Sequence, residues 1–95
     1  MHPKRRIPVH PGEILQYEFL EPLGIEPSDL ARHLDVSTRR VREILKGKRS
    51  VSSEMAWLLS DAFGTTPEFW VNLQSAHDIS VSRPARHVTR LKRTG

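Results

Sequence analysis

The sequence predicts an all-α domain of five short helices flanked by basic flexible tails, and three observations carry that prediction. Residues that start and stop helices recur along residues 10–79 at short intervals. Between them, apolar residues fall three and four apart, as on one face of a helix. No segment alternates convincingly; the best strand candidate is "HVTRL", residues 87–91. Ninety-five residues make one domain, and a chain of this size buries only roughly 60–70% of its unfolded surface, so its core is thin. The organisation expected is a basic arm over 1–9, a helical domain over 10–79 and a basic tail over 80–95.

The first helix is expected in "HPGEILQYEFL". Pro11 suits a first helical position, where its missing N–H would be unpaired anyway. Ile14, Leu15 and Phe19 then recur at helical spacing. "EPLG" should end the segment, because Pro22 disfavours helix at Glu21 and Gly24 suits a left-handed cap. A short second helix fits "SDLARHLD", with Leu30, Ala31 and Leu34 on one face. Ser37 is the expected N-cap of a third helix, about 38–46, with Gly47 at its C-terminal cap. Ser52 caps a fourth, "SEMAWLLSDAF", stopped at Gly64. That helix is apolar over most of its circumference, which predicts neighbours on several sides. Thr66 caps a fifth, with Pro67 at its first position and Phe69, Trp70 and Leu73 as its stripe. Trp70 is expected in the core, while Trp57 is open between core and subunit interface.

Charge is distributed in blocks. Residues 1–6 hold three basic groups and no acid, and residues 83–95 hold five. Residues 7–36 hold six acids against Arg32, and residues 50–82 hold four acids and no Lys or Arg. Between them, residues 38–49 hold six basic groups against Glu43 alone. Such blocks attract polyanions by steering and counterion release; a solvated helix face is the plainer alternative.

The second and third helices are joined by a few residues around Asp35, Val36 and Ser37, which makes a helix-turn-helix unit. Leu30 and Leu34 would face the core, and Ala31 would let the helices cross closely. Val36 would plug the turn, and Val41 and Ile44 would anchor the second member. Thr38, Arg39, Arg40, Arg42, Glu43 and Lys46 are left outward. A recognition helix needs that division, with polar side chains entering the major groove. Arg takes guanine O6 and N7 in a bidentate contact, Thr reaches a base or thymine methyl, and Lys neutralises phosphate. Glu43 either accepts from a cytosine amino group or pairs with Arg39 or Arg40 along the helix. The turn position at Asp35 usually favours glycine, but Asp tolerates a left-handed backbone.

From "HPGEIL" through "GKRS" to "FGTTPEFWVNLQ", about His10 to Ile79, the chain resembles the HigA/VapI family of antitoxins. These are XRE-type proteins with a lambda-repressor-like, five-helix DNA-binding fold. The resemblance implies a homodimeric repressor that binds palindromic double-stranded operator DNA at its own operon. It also implies a cognate HigB-like ribonuclease toxin as protein partner; a stand-alone regulator is the alternative. It places Ser37, Thr38, Arg39 and Arg40 at the DNA-facing start of the recognition helix, Arg42 and Glu43 within reach, and Lys46, Lys48 and Arg49 beside the phosphates. Asp35 departs from the family's turn glycine. Leu58 stands where the family often has a charged residue, which marks it as a partner-facing position.

Catalysis is not expected. His2, His10, His33, His77 and His87 show no ligand spacing, and no "HExxH", glycine-rich phosphate loop or "GxSxG" occurs. Glu13 and Glu18, five apart, share no α-helical face. No metal or cofactor is implied. The absence of cysteine fits a reducing cytoplasm, and no apolar run approaches the length of a membrane span.

Overall fold

A computed structural model of the chain describes residues 8–92. Residues 1–7 of the arm at 1–9 lie outside the described residues, as do residues 93–95. Five helical segments follow one another, with no strand among the described residues. The first, α1, is continuous but composite: α-helical Pro11–Ile14, π-helical Leu15–Leu20 and α-helical Glu21–Leu23. Then come α2 (Pro27–Leu34), α3 (Thr38–Leu45), α4 (Ser53–Phe63) and α5 (Pro67–Val81).

The segment ends within "EPLG" at the expected left-handed Gly24, but Pro22 does not exclude helix at Glu21 as its chemistry suggests. Glu21 is helical at φ −65° and ψ −48°, and the helix continues through Pro22 to Leu23 before Gly24 turns it off at φ 65°. The π turn explains this. Pro22 lacks an N–H and its ring would crowd the Glu18 carbonyl in a regular α-helix. Widening the preceding turn, with Glu21 N–H bonded to the Gln16 carbonyl, relieves that crowding. It also changes which side chains are neighbours. Gln16 Nε2 donates to Glu21 Oε2 at 3.0 Å, so a spacing of five residues shares a face here.

The other boundaries follow their caps. Ser37, Ser52 and Thr66 each accept a backbone N–H three residues on. Gly47 and Gly64 take φ 74°. Asp35 sits at φ 58° and ψ 47°, the one positive-φ residue other than glycine among the described residues. Pro27 opens α2 with no side-chain cap from Glu26.

The core is built from Leu15 and Leu20, Leu30, Ala31 and Leu34, Val41 and Ile44, Val51, Met55, Ala56 and Leu59, and Trp70. Trp70 is wholly buried and its indole Nε1 donates to Thr65 Oγ1 at 2.7 Å. Phe19 packs on Phe63 and Trp70 with ring centroids 5.0 and 5.3 Å apart. The fourth helix is less enclosed than its composition predicts. Trp57 is 60% exposed and is no part of the core. Leu58 is half-buried and packs against the core. The last helix runs on to Val81, and residues 87–91 carry no strand; residues 82–92 are exposed.

Candidate nucleic-acid interface

The helix-turn-helix is α2, the Asp35–Ser37 turn and α3. Ala31 is buried under the crossing, and its carbonyl accepts from Val36 N–H at 3.0 Å, which closes the turn. Val41 and Ile44 are each 1% exposed. Burying them contributes roughly 1.5–3 kcal/mol each and fixes which side of α3 faces solvent. From behind, α1 presses on α3 closely: a Cβ at Gly12 would overlap the Ile44 carbonyl. No other residue type fits that approach without moving a helix.

The opposite side of α3 carries the predicted residues. Thr38, Arg39, Arg42, Glu43, Lys46 and Lys48 line one shallow concavity of about 450 Å³. Arg39 is open to solvent, its side chain 86% exposed. Ser37 is used as the cap, accepting Arg40 N–H at 3.1 Å. Arg40 differs from the expectation of an outward-reaching side chain. Its side chain is only 26% exposed, and Nη2 lies 3.3 Å from Ser52 Oγ and 3.5 Å from Glu54 Oε1. Its Nε is buried without a hydrogen-bond partner. Arg40 therefore fastens the start of α3 to the start of α4. Glu43 pairs with Arg39, as one of its two readings had it, and also with Arg49: 3.1 Å to Arg39 Nε and 2.8 Å to Arg49 Nε. Those two guanidinium hydrogen bonds, Arg49's first, hold the Glu43 carboxyl below the usual carboxylate range.

The loop carrying Lys48 and Arg49 is held from three directions. Lys48 N–H bonds back to the Glu43 carbonyl at 2.9 Å, which completes a Schellman cap around Gly47. Val51 N–H donates to the buried Gln74 Oε1 of α5 at 2.8 Å. His10 packs under Gly47. The chain thus presents its basic loop from a rigid support.

Two features of this support escape a reading of the sequence. His10 is the N-cap of α1, its Nδ1 accepting Gly12 N–H at 2.9 Å, and its ring meets His77 edge-on at 5.2 Å. His77 Nδ1 in turn lies 2.8 Å from the Pro8 carbonyl. Burial first, and then the His77 charge, push the His10 pKa below its usual 6.5. The position of His10 just before Pro11-Gly12 is the signal that could have revealed it. The second feature is a concavity of about 330 Å³ beside α3, where Gln16 and Tyr17 of the π turn join Arg42 and Lys46. Its lining brings residues of the widened turn beside residues of α3, a juxtaposition that local sequence does not announce.

Among the described residues no cluster of three or more His, Cys, Asp or Glu groups is placed to hold a metal, and no helix is long and apolar enough to cross a membrane.

The helix-turn-helix family profile matches residues 17–70. An HTH-type transcriptional regulator of Haemophilus influenzae, itself uncharacterized, is 49% identical over 74 residues, covering 78% of this chain and 69% of that one. Antitoxin HigA-1 of Vibrio cholerae is 40% identical over 79 residues, covering 83% of this chain and 74% of its own. Among solved structures, Pseudomonas aeruginosa antitoxin HigA with the higBA promoter superposes at a TM-score of 0.77 with 44% identity, over 79% of this chain and 82% of that one.

Proposed function

The chain belongs to the helix-turn-helix family, and within it to the HigA/VapI group, and from that premise we propose that it is the antitoxin of a toxin–antitoxin module. In this reading it binds a palindromic operator as a homodimer, represses its own operon in the cytoplasm, and neutralises a cognate HigB-like ribonuclease. The observation that carries the DNA-binding part is the division of α3. Val41 and Ile44 moor it, while Thr38, Arg39, Arg42, Glu43 and Lys46 share the open side with Lys48. Arg39 is the base reader of this set, and Lys46, Lys48 and Arg49 are its phosphate contacts. Ser37 caps the first turn by accepting Arg40 N–H, and so sets the start of the helix that carries Arg39. Arg40 contributes chiefly by positioning. The P. aeruginosa HigA structure holds promoter DNA, which supports transferring that class of ligand to this chain.

The toxin partnership rests on kinship with antitoxins and on the acidic surfaces that suit a basic partner. The regulator names carried by other relatives favour a second reading, a transcriptional regulator without a toxin. One experiment separates the parts. The purified chain is used to enrich duplexes from a randomised pool, and is then co-expressed with the reading frame beside its gene. Enrichment of an inverted repeat with half-sites about one helical turn apart supports the repressor. Relief of growth arrest caused by the neighbouring product supports the antitoxin. Enrichment without any such relief leaves the stand-alone regulator. Failure to enrich any duplex defeats the DNA-binding reading.

A further inference from the structure

Glu43 is the one acid within the basic block of residues 38–49, and both of its carboxylate oxygens are engaged. Oε2 accepts from Arg39 Nε at 3.1 Å, and Oε1 accepts from Arg49 Nε at 2.8 Å. The two arginines come from different places, the first turn of α3 and the loop after it. Glu43 itself is on the second turn, its side chain 27% exposed, between an Arg39 side chain that is 86% exposed and an Arg49 side chain that is half exposed.

Each bond is made through Nε. That leaves the terminal Nη1 and Nη2 pair of each guanidinium for another partner, and that pair is the fork that matches guanine O6 and N7 or two phosphate oxygens. An arginine held at Nε no longer swings freely, so less ordering is required when the fork closes on its target. On charge alone, an acid at this place weakens binding to any duplex. As a surface ion pair it adds little to folding. What it supplies is direction: one carboxylate sets the aim of a base-reading arginine and of a phosphate-flanking one at a fixed separation.

We propose that Glu43 is the specificity-positioning residue of this interface, acting on DNA through Arg39 and Arg49 and not by touching a base. The inference rests on the DNA-binding reading given above. It differs from a base-reading Glu43 in a measurable way. A base reader loses the same discrimination whether or not Arg39 is present, whereas a positioning residue loses it only through Arg39.

The test uses the full chain and the duplex that the wild type enriches from a randomised pool, against a scrambled duplex of equal length. Glu43→Ala should weaken binding to the enriched duplex about tenfold, the size of one good base contact. Its binding to the scrambled duplex should hold or strengthen, because a repelling charge is gone. Glu43→Gln, which keeps shape and one acceptor, should fall between. Both variants should melt within about 5 °C of the wild type, since exposed pairs contribute little. In an Arg39→Ala background, Glu43→Ala should change discrimination less than about twofold, as two changes acting through one contact do not add. Equal losses in both backgrounds overturn the inference in favour of direct base reading. Unchanged discrimination in both Glu43 variants overturns it in favour of a solvated ion pair. A wild type that enriches no duplex instead removes the DNA-binding reading itself.

Discussion

Asp35 occupies the left-handed region at the tightest point of the helix-turn-helix, with φ 58°. Side chains there are held against Cβ–carbonyl crowding, at roughly 1–2 kcal/mol for most residues and less for Asp. Asp35→Gly should therefore leave stability unchanged or raise it by up to about 1 kcal/mol, and Asp35→Ala should lower it by about 1 kcal/mol. Urea unfolding of the three chains gives the order; an alanine variant as stable as the wild type would show that the turn is not under this constraint. Single residues are legible in the sequence where their effect is local. Ser37, Ser52 and Thr66 are caps because each accepts an N–H three residues on, and Gly47 and Gly64 are caps because only their backbone turns left freely. Arg40 is not legible in this way, because its partners Ser52 and Glu54 come from the next helix. Helical spacing shows that a side chain leaves the core stripe and says nothing of what a neighbouring element offers it. Trp57 is ambiguous in the sequence for the same reason: an apolar circumference predicts neighbours, and on that side of α4 the described residues leave it 60% exposed.

At the scale of elements, α1 departs furthest from expectation. Pro22 argues soundly against a regular α-helix at Glu21, but the chain answers with a π turn and goes on. Periodicity of apolar residues does not distinguish one widened turn from regular helix, so the concavity made by Gln16 and Tyr17 is out of its reach. The start of the same element carries a pH dependence. His10 caps α1 through an unprotonated Nδ1, so a proton there removes the acceptor for Gly12 N–H. Burial and the facing His77 disfavour the proton; Asp78, Glu13 and the Arg49 carbonyl favour it, and the net pKa is lowered. The folded chain then binds fewer protons than the unfolded one just below pH 6.5, so stability rises with pH there. It is full above the unfolded value of 6.5 and is lost as pH falls through the folded value. Urea midpoints should drop between about pH 7.5 and 5.5. His10→Asn, which keeps a capping oxygen without a titrating ring, should lose less over the same interval. Equal losses in the two chains would show that His10 is not the titrating group.

At the scale of the molecule, the alternation of charge blocks becomes a division of surface. The block at 38–49 lies on α3 and its following loop, and the loop is tied down by Gln74, His10 and Glu43. The tail from Arg83 to Lys92 is exposed along its length. Removal of residues 83–95 should leave the melting temperature within about 2 °C, since no described residue of that stretch is buried. It should weaken binding to random duplexes and flatten the salt dependence by roughly one unit of log–log slope for each phosphate no longer neutralised. A large fall in melting temperature would mean that the tail supports the helices. Five helices and their order are readable in the sequence because caps, prolines and glycines mark where they begin and end, while Pro22 marks no boundary. The proposed DNA-facing surface is readable in composition and in its Glu43–Arg39 pair, but not in its Glu43–Arg49 pair, because Arg49 meets Glu43 across the cap and not along a helix face. The most direct measurement is a backbone amide NMR titration with the enriched duplex. The largest shifts should fall on Thr38 to Lys46 and on Lys48 and Arg49, with α5 beyond Gln74 little changed. Shifts concentrated on α1 and α4, with Thr38 to Lys46 unmoved, would contradict a recognition role for α3.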